Sequence, residues 1–258
     1  VTDLDPALAE ALATLAGTPS LLIALDFDGT LAPLVDDAMS ARMLPDSARA
    51  LAELASLPDT SVAFVSGRSI DSLEIIAEEP PAHLLLVGSH GAELRIDGAR
   101  SGLPVTDEDQ VLLAALTAEL EAMAEPLPGV LIERKPAGVG VHTRLSDTST
   151  TTTALAGAAA IVARYPSVTL RAGKDILEYS IHDATKGEGV DYVRGLSGAA
   201  AVLFAGDDVT DEDGFAVLRD GDVGIKVGPG PTKAGYRVAD TAAMTVVLTT
   251  LLELRRSV

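Results

Sequence analysis

The chain has 258 residues, a formal net charge of −19, 47% hydrophobic and 3% aromatic residues, and no cysteine. That length allows one large or two small domains, with a core built mainly from Ala, Val, Leu and Ile. The charge argues against nucleic acid and anionic membranes as partners, and the absent cysteines exclude disulfides, thiolate metal sites and a cysteine nucleophile.

Residues 1–19 are acidic and amphipathic, unlike a basic-then-apolar leader, and no apolar run nears the ~20 residues of a membrane span. A cytoplasmic monomer is the expectation. Residues 21–25 form an apolar run that reads as a buried parallel strand. It leads into Asp26-Phe27-Asp28-Gly29-Thr30-Leu31. The connection over residues 29–45 is long enough for a flap and too short for a lid domain. A helical pattern follows at 46–57, then a strand over 61–65 that ends in Ser66-Gly67-Arg68, then a helix over 69–78. The strand at 84–87 runs into Gly88-Ser89-His90-Gly91-Ala92-Glu93. Strands alternating with helices predict an α/β fold, a parallel sheet with helices on both faces.

From about residue 104 the pattern changes. A helix (106–124), a strand pair (130–135 and 138–144), a second helix (150–164) and a second strand pair (168–171 and 176–181) make an α+β unit with an antiparallel sheet. We expect a domain over 104–181 inserted into a core formed by 1–103 and 182–258. The core pattern resumes at Lys186-Gly187 with a helix over 187–196 and a strand over 201–205. The turn Gly206-Asp207-Asp208-Val209-Thr210-Asp211-Glu212-Asp213 enters a helix over 210–218. A strand at 223–227 and a helix at 241–254, closed by Arg255-Arg256, complete the chain.

Ligands of open parallel sheets bind beyond the carboxyl ends of the strands. Two carboxylates there, Asp26 and Asp28, can divide nucleophilic and acid–base work; Asp and Gly are also ordinary turn residues. The acids at 207–213 suit either the first turn of a helix or a Mg²⁺ site, and Lys186 alone reads as a solvated helix-start lysine. A phosphate ester would be repelled by a −19 protein, so such a substrate calls for local positive charge: a divalent cation, Lys186, Arg68 and helix N-termini.

The motifs around Asp26, Ser66, Lys186 and Asp207, in this order, resemble the haloacid dehalogenase (HAD) superfamily of aspartyl-phosphate phosphohydrolases. Gly88-Ser89-His90-Gly91-Ala92-Glu93, Glu133-Arg134-Lys135 and Val141-His142-Thr143-Arg144 are most similar to trehalose-6-phosphate phosphatases within it. The resemblance implies a Rossmann-like core with an inserted C2-type cap that covers the site. It implies Asp26 as nucleophile, Asp28 as acid and then base, and Ser66 and Lys186 holding the phosphoryl group with the Gly67 N–H and Arg68. Thr30 is expected to orient Asp28. Mg²⁺ is implied as cofactor, with Asp26, the Asp28 carbonyl and Asp207 as ligands and Asp208 and Asp211 beside them. The substrate implied is a sugar phosphate, recognised by Glu133, Lys135 and Glu178, with His90, Arg144 and Lys174 as further candidates. One departure is local: where the family often runs Arg-Pro after the glutamate, this chain has Tyr179-Ser180. The core motifs leave other substrates open, sucrose 6-phosphate or mannosyl-3-phosphoglycerate among them. A phosphomutase and an inactive partner domain are more distant readings.

Overall fold

In chain order the elements are α1 (Pro6–Ala16), β1 (Leu21–Leu25), α2 (Pro45–Ala55), β2 (Thr60–Val65), α3 (Ile70–Ile76), β3 (Leu85–Gly88), β4 (Glu93–Ile96) and β5 (Ala99–Gly102). Then come α4 (Asp107–Ala124), β6 (Leu131–Lys135), β7 (Gly138–His142), α5 (Thr148–Val162), β8 (Thr169–Gly173) and β9 (Ile176–Ser180). The chain closes with α6 (Lys186–Ser197), β10 (Ala201–Gly206), α7 (Asp211–Ala216), β11 (Val223–Val227), β12 (Tyr236–Val238) and α8 (Thr241–Arg255). This computed structural model describes residues 4–78, 80, 83–173 and 175–257. It divides into two units, one of Val1–Ser101 with Ala184–Val258 and the other of Gly102–Asp183.

The first unit is built on a sheet of order β12-β11-β10-β1-β2-β3-β4-β5. β1 lies at its centre, parallel to β10 and β2. Every residue of β1 is buried, because alternate side chains enter different cores. Leu21, Ile23 and Leu25 join the helices α1, α2, α3 and α8. Leu22 and Ala24 join Val190 and Val193 of α6 and Phe215 of α7. Because β1, β2 and β10 run parallel, their carboxyl ends gather at one edge.

Four elements, α1, β4, β5 and β12, lie outside the sequence expectation. β3 and β4 pair antiparallel, and β5 extends that edge. Asp97 (φ 49°) and Gly98 (φ 78°) between β4 and β5 supply the left-handed turn that an Asp-Gly pair favours. α1 starts on Asp5, whose carboxylate caps the Ala7 and Leu8 amides, and buries Leu8, Leu12 and Leu15 on one stripe.

The second unit holds an antiparallel sheet of order β6-β7-β9-β8. Val139, Val141 and Tyr179 pack from one sheet face against Leu116 and Leu120 of α4 and Ala154 and Ala158 of α5. Thr106 and Asp109 close a capping box at the start of α4. Among the described residues no helix is long and apolar enough to cross a membrane.

Candidate active site

Asp26 is the first residue past β1. Its N–H donates to the Ala205 carbonyl at 2.9 Å, so strand pairing continues to the point where the side chain is needed. The chain then turns tightly, with the Leu31 and Ala32 amides both donating to the Phe27 carbonyl. Gly29 sits in this turn at φ 76°. A Cβ there would stand 2.1 Å from Asp207 Oδ2, so backbone conformation and the close carboxylate both require glycine. Thr30 is fully buried, and its hydroxyl makes no hydrogen bond to Asp28 or to any other described group. The expectation that it orients Asp28 is not met. Arg68 holds Asp28 instead, its Nη2 donating to Asp28 Oδ1 at 2.8 Å and its Nε to Oδ2. The same guanidinium donates to the Ala38 carbonyl and the Ser72 hydroxyl, tying the segment after β1 to the start of α3.

Ser66 follows β2 and is buried. Its N–H donates to the Val87 carbonyl at 2.8 Å and its carbonyl accepts from His90 N–H at 3.0 Å. His90 is buried, with a left-handed backbone at φ 57°. A Cβ on Gly67 would come within 2.6 Å of its ring, so His90 packs directly on the Ser66-Gly67 turn. Glu93 accepts from the Ser89 hydroxyl and from the Ile70 amide at the start of α3.

Lys186 opens α6 behind a capping box of Thr185 and Glu188. It is 3% exposed. Its ammonium donates to Asp26 Oδ1 at 2.8 Å and to Asp211 Oδ1 at 2.7 Å. Asp211 Oδ2 accepts from the Asp208 N–H at 2.9 Å, which closes the turn after β10. Asp26, Asp207 and Asp211 each place a carboxylate oxygen within 4.8 Å of the others. The Asp208 carboxylate is not in that cluster and accepts from the Val209 amide at 2.7 Å. Adjacent residues of a turn point different ways, so Asp207 faces the cluster and Asp208 does not.

In the second unit, Glu133, Gly140, Glu178 and Arg171 lie in register across all four strands. This is the face opposite the helices. Lys135 donates to Glu178 and lies 3.9 Å from Glu133, and Glu133 Oε2 also lies 2.9 Å from His142 Nε2. Arg144 lies beyond β7, which ends at His142. Its Nε is 3.9 Å from Asp175 Oδ2 at the β8–β9 turn. Lys174 lies outside the described residues.

A family model for trehalose-phosphatase matches residues 24–242. The trehalose-6-phosphate phosphatase of Escherichia coli (strain K12) is 30% identical over 240 residues, covering 90% of this chain and 87% of that protein. The chain belongs to the trehalose-phosphatase family. It is a phosphatase. Two solved structures show its fold. The C-terminal domain of the Candida albicans trehalose-6-phosphate phosphatase aligns with a TM-score of 0.82 at 22% identity, covering 95% of this chain and 96% of that one. A HAD subclass IIB sugar phosphatase aligns with a TM-score of 0.59 at 14% identity, covering 89% and 98%. The fold is therefore the HAD α/β fold, and the four-stranded antiparallel sheet fits a cap domain.

In this phosphatase the electrostatics centre on the three clustered acids. Burial pushes the Asp26 carboxyl well above the ordinary range; the Lys186 ammonium opposes that shift, and Asp211 and Asp207 add to it. Burial and then Asp211 push Asp207 up to about 6. Burial works against the Lys186 charge, but Asp211 and Asp26 outweigh it and hold its pKa well above the usual lysine value. Three clustered carboxylates, of which burial opposes the charge of Asp26 and Asp207, fit a hard divalent cation such as Mg²⁺. Sequence reasoning missed one participant. Lys226 in β11 is 4% exposed, and its ammonium donates to the Asp207 carbonyl at 2.6 Å and the Asp208 carbonyl at 3.3 Å. The available signal was a lysine inside the apolar run Val223-Gly224-Ile225-Lys226-Val227.

Proposed function

We propose that the protein hydrolyses trehalose 6-phosphate to trehalose and inorganic phosphate, through an aspartyl-phosphate and with Mg²⁺. The observation that carries this reading is the buried Asp26 at the end of β1. One of its oxygens is bound to Lys186, and Asp207 and Asp211 stand beside it, in a member of the trehalose-phosphatase family.

Asp26 attacks phosphorus while the bond from phosphorus to the sugar oxygen breaks. The electron pair stays on the sugar oxygen, which takes a proton from Asp28. Water then attacks the aspartyl-phosphate. Asp28 takes a proton from that water, and phosphate leaves with Asp26 restored. Ser66, the Gly67 N–H and Lys186 hold the phosphoryl oxygens. Asp28 must free an oxygen from Arg68 before it can carry a proton, and a phosphate dianion competing for the guanidinium supplies that exchange. Asp26, Asp207 and Asp211 would hold Mg²⁺, with the Asp28 carbonyl and a reoriented Asp208 as further candidates, and a bound ion would supply neutralisation of phosphoryl charge.

The sugar is recognised by the inserted unit, through Glu133, Lys135 and Glu178, with Arg144 and Lys174 contributing. His90 is a candidate contact on the core side. The proposal includes a cytoplasmic monomer whose partner is the sugar phosphate alone; the −19 charge supports the absence of nucleic acid and anionic membrane from that set.

Phosphate release from trehalose 6-phosphate, sucrose 6-phosphate, glucose 6-phosphate and p-nitrophenyl phosphate tests the reading. Trehalose 6-phosphate should lead in kcat/KM by at least about tenfold. EDTA should stop turnover and Mg²⁺ restore it. A higher kcat/KM on sucrose 6-phosphate, or full activity in excess chelator, overturns it.

A further inference from the structure

Lys226 is buried on β11 and paired in register with Gly206, the last residue of β10 before the acidic turn. A buried ammonium is costly unless its donors are used, and here it donates to the main-chain carbonyls of Asp207 and Asp208. The same turn is held from the other side, where Asp211 Oδ2 accepts from the Asp208 N–H at 2.9 Å. Both peptide planes flanking Asp208 are thus fixed. The plane between Asp207 and Asp208, with the pairing of Gly206 to β11 on the other side, sets the backbone of Asp207, whose side chain stands against Gly29 and within 4.8 Å of the Asp26 and Asp211 oxygens.

We infer that Lys226 is a positioning residue for the metal-binding turn: by holding these two carbonyls it aims the Asp207 carboxylate into the cluster before any cation arrives. The inference rests on the Mg²⁺ reading above. It has a distinguishing sign. Lys226 is a cation near a cation site, so as a bare charge it weakens Mg²⁺ binding, and its removal should tighten it. As a positioning group it does the reverse. Its removal leaves two carbonyls without their donor, lets the turn rotate and weakens Mg²⁺ binding, because ligands tolerate only small displacements.

The experiment is calorimetric titration of Mg²⁺ into the substrate-free full chain, wild type, Lys226→Met and Lys226→Arg, with thermal melts to establish folding. Lys226→Met should bind Mg²⁺ at least about tenfold more weakly. Lys226→Arg, which keeps donors for both carbonyls, should recover most of the loss. Unchanged or tighter binding in a folded Lys226→Met overturns the inference and leaves the Mg²⁺ reading standing. A wild type that binds no Mg²⁺ removes both. Hydrogen exchange on the metal-free wild type provides a measurement that needs no variant. The Asp208 amide should already be protected without metal, and protection that arises only on adding Mg²⁺ overturns a preformed turn.

Discussion

Asp26 concentrates several constraints in one carboxylate: burial, a lysine on one oxygen and two neighbouring acids. Asp26→Asn keeps the shape but removes the proposed nucleophile. We expect kcat to fall about 10⁴-fold or more, with a melting temperature equal to or above wild type because one crowded charge is gone. Retention of more than a few per cent of the phosphate-release rate would sink the assignment. Asp207 gives a pH test. Its carboxyl is pushed up to about 6 from an ordinary 3.8, so between those values the native state keeps a proton that the unfolded chain has released. Its contribution to stability therefore falls as pH rises from about 4 to 6, by up to about 3 kcal/mol less the screening of a half-buried group. Mg²⁺ binds the ionised form, so the rise in melting temperature on adding Mg²⁺ should be larger near pH 7.5 than near pH 5. A rise independent of pH would show that Asp207 does not hold the ion.

At the scale of elements, the site depends on turns that follow β1, β2 and β10. Gly29→Ala adds a methyl into the Asp207 carboxylate at a positive φ, which costs about 1 kcal/mol or more in backbone strain alone. It should lower the melting temperature and raise the Mg²⁺ concentration for half-maximal activity, because Asp207 must move; a normal Mg²⁺ titration would mean that Asp207 is not a ligand. The apolar strands β1, β10 and β11 were legible as apolar runs, and α4 and α6 through their helical patterns. β4 and β5 were not, since Glu93-Leu94-Arg95-Ile96 and Ala99-Arg100-Ser101-Gly102 are short and polar at a sheet edge, where burial writes little into the sequence. β7 ends two residues earlier than its pattern implied, which leaves Arg144 beyond the strand.

At the scale of the molecule, the proposed function puts chemistry and recognition in different units, which makes the two separately testable. Glu133, Lys135 and Glu178 form one charged group on the second unit's sheet. Truncating any of them to Ala leaves polar partners unpaired in the bound state. That should lower kcat/KM on trehalose 6-phosphate roughly ten- to a hundredfold. With p-nitrophenyl phosphate, which carries no sugar, the loss should be nearly absent. The measured quantity is the ratio of the two kcat/KM values. A ratio equal to wild type in all three variants would reduce these residues to a solvated ion-pair face.

By itself the sequence determined the order of the main core strands and of the helices between them, pointed to Asp26, Ser66, Lys186 and the acidic turn as candidates for the chemistry, and set the polar character of one face of the inserted sheet. Those properties are local, written as apolar runs, caps, turn residues and alternation. Tertiary structure alone decided which groups meet. Lys186 reaches Asp26 across 160 positions of chain, and Arg68 grips Asp28 across 40. Asp207 and Asp211 face the cluster while Asp208 turns away, and Lys226 lies beside Gly206 through the pairing of β10 with β11. The physical reason is that a side chain's direction at a strand end follows from the turn's backbone angles and from which strand pairs beside it. Neither is encoded in the residue's own neighbours along the chain.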